Sequence, residues 1–82
     1  MKDMNDITKE QICECIAAEL GCDVIDISDM DGWNITNKWD SIAHISIITK
    51  IEGCFNISIP DNEISNLTTV GKLAQYVSEI LE

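Results

Sequence analysis

A carboxylate, a hydroxyl and an imidazole lie within five residues of one another in this chain, at Asp40, Ser41 and His44. These are the residue types of a serine hydrolase, in which a base takes the proton of the serine and a carboxylate orients that base. His44 follows Ser41 by one helical turn, so contact between them is conceivable. However, Ser41 lacks the Gly-x-Ser-x-Gly turn, and Asp40 is expected to cap the helix. We therefore expect no catalysis at Ser41.

Ser41 has a second possible use, because it is predicted to be the first residue of a helix. A serine directly after a capping aspartate is exposed and rigidly held. The N–H groups of a first helical turn are unpaired, and the helix dipole is positive at that end. A phosphate esterified to Ser41 would lie in this favourable field. Serines are common at helix starts, so the pair Asp40-Ser41 is a weak signal by itself.

The segment around Gly32 resembles half of a calcium-binding loop, with Asp29 and Asp31 at ligand positions. Such a loop requires carboxylates at its first and last positions, where this chain has Ile27 and Lys38. We therefore expect no metal ion there.

The cysteines also lack the spacing of a zinc site, since residues two apart on one helix cannot face the same ion. The start of the chain is polar and acidic and does not resemble a secretory signal, so we expect reduced thiols. We interpret the four as small apolar residues and surface thiols: Cys13, Cys15, Cys22 and Cys54.

The composition predicts one small acidic domain over residues 1–82. Fifteen acidic against five basic residues give a formal net charge of −10. This charge repels nucleic acid and anionic membranes and attracts basic patches on proteins. No apolar run approaches the ~18 residues of a membrane span. We therefore favour a cytoplasmic carrier, adaptor or binding module over an enzyme with a large pocket.

Helical periodicity is clearest at the two ends of the chain. A capping box at Thr8 is predicted to open a first helix that ends at Gly21, and Thr68 or Thr69 is predicted to cap the last helix. The stripes expected to be buried are Ile12, Ile16, Ala17 and Leu20 in the first helix, and Val70, Leu73, Ala74, Val77, Ile80 and Leu81 in the last.

A further helix is predicted from the cap at Asp40 to about Gly53. Ile47 lies off its expected buried stripe and is predicted to be exposed and available to a partner. The stripe itself is Ile42, Ile45, Ile48, Ile51 and Phe55.

Residues 21–40 form a long connector, whose apolar residues, Trp33 and Trp39 among them, are expected to pin it across the end of the bundle. Pro60 and Asp61 are predicted to start a short helical turn through Ile64. The elements together predict an all-α fold, a small four-helix bundle of three main helices and one short one.

From Trp39 to Ile80, about half of the chain, the sequence resembles the acyl carrier proteins. Asp40-Ser41-Ile42 is similar to their Asp-Ser-Leu signature. Residues 57–63 look like their Ile-x-Ile-Pro-Asp-x-Glu segment, and residues 67–73 look like the Thr-Thr-Val-Gly opening of their last helix. Three motifs in the same order and spacing make the resemblance specific.

The resemblance implies that Ser41 Oγ receives a 4′-phosphopantetheine arm from coenzyme A through a phosphopantetheinyl transferase. The arm's thiol would hold an acyl group as a thioester, for presentation to acyl-loading and acyl-transfer enzymes by a monomeric carrier that catalyses nothing itself. Two alternatives stay open: an aminoacyl or peptidyl carrier, although the Gly-Gly-His-Ser pattern of peptidyl carriers is missing, and a non-carrier acidic interaction domain of the same fold.

The chain also departs from housekeeping fatty-acid carriers, which typically have a small residue before Asp-Ser and several acids along the second helix. Here Trp39 precedes Asp40, and only Glu52 remains as an acid within that helix. We therefore expect a specialised pathway and more apolar docking. His44 is expected either to donate a hydrogen bond to the added phosphate or to be an exposed helix residue. The predicted partner-recognition residues are Asp40, Ile42, Ala43, Ile45 and Ile47.

Overall fold

Four α-helices account for the regular structure of the computed structural model, which describes residues 4–81. They are α1 (Met4–Leu20), α2 (Ser41–Phe55), α3 (Asp61–Ile64) and α4 (Val70–Leu81), with a 3-10 turn at Val24–Asp26. Helix α1 packs against both α2 and α4. The predicted all-α four-helix bundle with one short helix is confirmed. That residues 1–82 form one domain stays a prediction.

The core is built mainly from isoleucine, leucine and valine. Each of these side chains stabilises the fold by about 1.5–3 kcal/mol when it is fully buried. The predicted stripe of α1 is confirmed, since all four of its members are buried. Apolar residues of the core cluster are Ile12, Cys13, Ile16, Leu20, Trp39, Ile47, Ile48, Ile51, Ile59, Leu67, Val70, Leu73, Ala74 and Val77.

The predicted start of α1 is wrong. The helix already includes Met4, and Thr8 lies inside it with only 1% of its surface exposed. Thr8 extends the buried face of Ile12 and Ile16 by one turn, so it packs in the core and does not cap the helix. The predicted end is confirmed: Gly21 has a φ of 72°, and its N–H donates to the Ala17 carbonyl at 2.9 Å.

Helix α4 begins as predicted, because Thr69 Oγ1 accepts a hydrogen bond from the Lys72 N–H at 3.3 Å. Its buried stripe is confirmed as far as Val77 and then differs. Ser78 is buried, whereas Ile80 and Leu81 are exposed. The last turn of α4 therefore lies at the edge of the core.

Helix α2 buries only the later part of the stripe that its isoleucine spacing predicted: Ile48 and Ile51 are buried, and Phe55 is partly buried against the core. Ile47 is fully buried (0% exposed), so its predicted availability to a partner is wrong. Ile42 and Ile45, placed on the buried stripe, are 78% and 59% exposed. The helix also continues two residues past Gly53 and ends at Phe55. Asn56 caps this end with its backbone in the left-handed conformation.

The long connector is anchored mainly by its tryptophans, as predicted. Trp39 is buried, and Trp33 and Ile27 are partly buried against the core. The other apolar side chains do not pin the connector, since Ile25 and Met30 point into solvent. The segment is tied to α4 through one β-bridge, from Gly32 to Thr69.

Candidate functional site

Ser41 is the first residue of α2, and its side chain is exposed. Asp40 Oδ1 accepts a hydrogen bond from the Ala43 N–H at 2.9 Å, so the predicted helix cap is confirmed. The Asp40 carboxylate is therefore occupied in holding the helix start. The Ser41 hydroxyl is left in solvent at the positive end of the helix dipole, where a negative group is stabilised.

His44 lies one turn further along α2 and is almost fully buried, with 1% of its surface exposed. Trp39 Nε1–H donates to His44 Nδ1 at 3.0 Å, and His44 Nε2 lies 3.0 Å from the Ile64 carbonyl oxygen. Because an indole nitrogen can only donate, Nδ1 carries no proton, and Nε2–H donates to Ile64. The neutral ring is thus held at both of its nitrogens.

The imidazole of His44 also stacks on Trp33, with ring centroids 4.9 Å apart and planes inclined by 14°. The ring of Trp39 lies tilted at 6.0 Å on His44. We call Trp33, Trp39 and His44 the Trp–His cluster. It joins the long connector to α2 and, through the Ile64 carbonyl, to the end of α3.

Both sequence-based interpretations of His44 are wrong, because the ring is neither exposed nor free to donate to a phosphate on Ser41. The same contacts remove it as a base for Ser41. A base needs an unprotonated nitrogen within reach of the serine hydroxyl, and the unprotonated Nδ1 already accepts from Trp39. Asp40, Ser41 and His44 are close in sequence, but they do not form a catalytic triad in this fold.

A groove of about 480 Å³ opens beside Ser41. Its walls are mainly apolar, and one of them is Trp33, whose Nε1 is buried without a hydrogen-bond partner among the described residues. Spacing along the chain did not predict this groove, because its walls come from the connector, α2 and the region of α3. The lining residues are Trp33, Ser41, His44, Ile45, Asp61, Ile64 and Ser65.

The predicted partner-recognition residues separate into two groups in the structure. Asp40, Ile42 and Ile45 are exposed near Ser41, and Ala43 is half-buried. Ile47 is in the core and cannot contact a partner. Ile42 and Ile45 form an apolar surface on the first turns of α2, and Ile45 also lines the groove.

Glu52, the remaining acid of α2, is engaged inside the molecule. Its Oε2 accepts a hydrogen bond from the Ile59 N–H at 2.8 Å and so holds the connector between α2 and α3. Helix α2 has two charged side chains, Lys50 and Glu52, and the Glu52 carboxylate is already hydrogen-bonded within the protein. The helix that begins with Ser41 presents little charge to a partner.

Among the side chains that the structure describes, residues 7–81, no three of histidine, cysteine or carboxylate type are grouped so that they could hold a metal ion. In the same part of the chain, no helix has both the length and the apolar character needed to cross a membrane. All four cysteines are free; Cys13 is buried and Cys15 half-buried, while Cys22 and Cys54 are exposed. These positions agree with small apolar residues and surface thiols.

Comparison with known proteins gives consistent matches. Residues 10–77 match the family model described as "Phosphopantetheine attachment site". The chain is 32% identical over 75 residues to the acyl carrier protein of an Exiguobacterium species, which covers 87% of this chain and 95% of that protein. It is 30% identical over 70 residues to the acyl carrier protein of Rubrobacter xylanophilus, covering 85% and 86%. The chain is also 41% identical over 39 residues to the acyl carrier protein of Beutenbergia cavernae, and this match covers 48% of each of the two chains.

Proposed function

Because this chain belongs to the phosphopantetheine-attachment family that includes the acyl carrier proteins, we propose that its 4′-phosphopantetheine arm is joined to Ser41 Oγ. When bound, the arm supplies a terminal thiol that carries acyl groups as thioesters. One observation carries the proposal: the serine of the Asp-Ser motif is exposed at the start of α2, beside an apolar groove.

The residues around Ser41 fit such an arm. The hydroxyl is open to solvent, and a phosphodiester there would lie in the positive field of the α2 N-terminus. Ile45 and Ile64 offer apolar walls for an acyl chain. Trp33 adds an aromatic wall to the same groove.

The chain's own residues hold and present the arm and do not supply acid–base chemistry. Asp40 fixes the first turn of α2, and Trp33 and His44 of the Trp–His cluster line the groove. The work of loading and transfer then falls to partner enzymes, among them a phosphopantetheinyl transferase. A monomeric carrier located in the cytoplasm is part of this proposal.

The cargo pathway is proposed to be a specialised one rather than general fatty-acid synthesis. Ile42 and Ile45 are exposed next to Ser41, whereas Glu52 is engaged with Ile59. Docking by apolar contact is therefore favoured over docking by charge on this helix. An aminoacyl or peptidyl carrier is the alternative within the family.

The test is to incubate the unmodified protein with coenzyme A and a broad-specificity transferase and to measure its intact mass. The wild type is expected to gain one phosphopantetheine, and Ser41→Ala is expected to gain none. Ser65→Ala is the matched control, since Ser65 is an exposed serine that lines the same groove; it should load like the wild type. If the wild type stays unmodified where a control carrier is loaded, the chain is a non-carrier acidic interaction domain.

A further inference from the structure

Two cysteines that are distant in sequence line a second groove, which lies between α1 and the last turns of α2. Cys15 belongs to α1, and Cys54 lies in the last turn of α2. Both line a groove of about 490 Å³, together with Gln11, Glu14, Ala18, Lys50 and Gly53. A Cβ at Gly53 would have no atom within 4 Å, so the space next to Cys54 is open.

This groove is separate from the one beside Ser41. Cys54 is ~20 Å from Ser41 along α2, at a rise of 1.5 Å per residue. None of the residues that line the two grooves is shared. The cysteine groove therefore lies outside the proposed attachment site at Ser41.

The two thiols differ in exposure and influence each other. Burial raises the pKa of Cys15 to about 11, with further contributions from the charge of Cys54 and a hydrogen bond to it, while Lys50 acts in the opposite direction. Cys15 is half-buried and holds its proton at neutral pH, whereas Cys54 is exposed. A reagent from solution therefore reaches Cys54 first.

We propose that Cys15 and Cys54 form a dithiol site that is oxidised by low-molecular-weight disulfides such as oxidised glutathione. First, the Cys54 thiolate attacks one sulfur of the reagent, which forms a mixed disulfide and releases one glutathione thiolate. Then the Cys15 thiolate attacks Cys54 Sγ, which forms the Cys15–Cys54 disulfide and releases the second glutathione. Two protein thiols are oxidised, one reagent disulfide is reduced, and the two protein protons end on the released glutathiones.

The first step prepares the second. The charge of Cys54 and its hydrogen bond to Cys15 both help to raise the pKa of Cys15. Once Cys54 is in a mixed disulfide, these two contributions disappear, whereas Lys50 still lowers the pKa of Cys15. Burial keeps the pKa above the ordinary value, so closure is expected to accelerate as the pH rises. The resulting bond would join α1 to the end of α2.

The remaining cysteines provide internal controls. Cys13 is buried in the core cluster, and Cys22 is exposed beyond the end of α1 without lining this groove. Cys22 is therefore an accessible thiol outside the dithiol site. In the reaction with oxidised glutathione, it is expected to hold a mixed disulfide and not to resolve it.

The test uses the full chain without its arm, in a Cys22→Ser parent whose only thiols are Cys13, Cys15 and Cys54. After incubation with oxidised glutathione at mildly alkaline pH, intact mass and peptide mapping are measured. The parent is expected to lose two hydrogens, retain no glutathione and yield a Cys15–Cys54 linked peptide. Cys15→Ser in this parent should accumulate about tenfold more glutathione adduct at Cys54, since the resolving thiol at high effective concentration is gone. Cys54→Ser should form neither product.

A parent that keeps glutathione on Cys54 and yields no linked peptide would overturn the proposal. The same holds for a linkage that joins Cys13 instead of Cys15. The decisive measurement is made on a protein with both groove cysteines intact, so misfolding of a serine variant cannot imitate either result. Circular dichroism of the Cys15→Ser and Cys54→Ser proteins checks that their helices are retained.

Discussion

His44 illustrates how the neighbours of a side chain decide its chemistry. Both of its ring nitrogens lie 3.0 Å from a partner, Trp39 Nε1 on one side and the Ile64 carbonyl on the other. A histidine held in this way has no nitrogen left for Ser41, although Ser41 is only three positions away in the sequence. Its role is to fix α2, the connector and α3 around the groove.

We predict that His44→Ala lowers the free energy of unfolding by about 3 kcal/mol, because it leaves a cavity and removes the partners of the buried Trp39 N–H and the partly buried Ile64 carbonyl. His44→Phe keeps an aromatic ring against Trp33 but loses both hydrogen bonds, and it should cost about 2 kcal/mol. Urea denaturation followed by circular dichroism measures both values. Thr49→Ala, an exposed change on the same helix, should stay within about 0.5 kcal/mol of the wild type. Equal stability of His44→Ala and the wild type would contradict this role.

At the scale of elements, the connector between α1 and α2 is an ordered part of the site. The Trp33 N–H donates to the Thr68 carbonyl at 2.9 Å, and the Val70 N–H donates to the Asp31 carbonyl at 3.0 Å. Gly32 makes this close approach possible, because a Cβ there would collide with the Thr68 carbonyl oxygen. The connector is thereby held on the start of α4, and it carries Trp33 to the groove.

The Asp31 carboxylate organises the connector from within. It accepts hydrogen bonds from the Ser28 N–H and from Thr36 Oγ1, both at 2.7 Å. The first of these is the main reason that the pKa of Asp31 is lowered, and the Thr36 hydrogen bond adds to it. Since the folded pKa lies below the unfolded value of about 3.9, ionised Asp31 stabilises the fold above that pH, and this contribution is lost as the pH falls through the folded pKa.

We therefore predict that Asp31→Asn is less stable than the wild type by about 1 kcal/mol at neutral pH, a modest value because the site is partly exposed. The difference between the two proteins should shrink as the pH is lowered below about 4. Urea denaturation of both proteins across this pH range checks the prediction. A difference that stays constant down to the lowest pH would show that the carboxylate charge is not what stabilises the connector.

On the scale of the whole molecule, the charge of −10 is unevenly distributed. Helix α2 contains one lysine and one glutamate, so the excess of acids lies on the other segments. The long-range field attracts basic proteins, whereas the surface next to Ser41 offers Ile42 and Ile45. Attraction and final docking would thus depend on different parts of the chain.

This division leads to a prediction about partner enzymes. Once loaded with the same acyl group, this carrier should be elongated on the order of tenfold more slowly by a general fatty-acid synthase than a housekeeping carrier is, since α2 lacks the acids that a basic docking patch would pair with. Initial elongation rates of the two carriers, measured side by side, are the readout. Equal rates would contradict the proposal of a specialised pathway.

Several local features could be predicted from sequence because they depend on residues close together in the chain. The cap of α2 joins Asp40 to the Ala43 N–H, three residues away, and Gly21 ends α1 through its own positive φ. The three motifs from Asp40 onward likewise identified the family, which the comparison confirmed. Such signals are complete within a few residues, so no tertiary structure is needed to interpret them.

The buried face of α2 was decided only by tertiary structure. Five isoleucines are distributed around much of this helix, so their spacing is compatible with more than one buried face. The choice is made by His44, through Trp39 and through Ile64, twenty residues further along the chain. For the same reason Cys15 and Cys54 become neighbours only when α1 packs on α2. Sequence alone predicted that the chain is helical and that Ser41 is the residue to carry a phosphate, whereas long-range contacts determined which side chains surround that point.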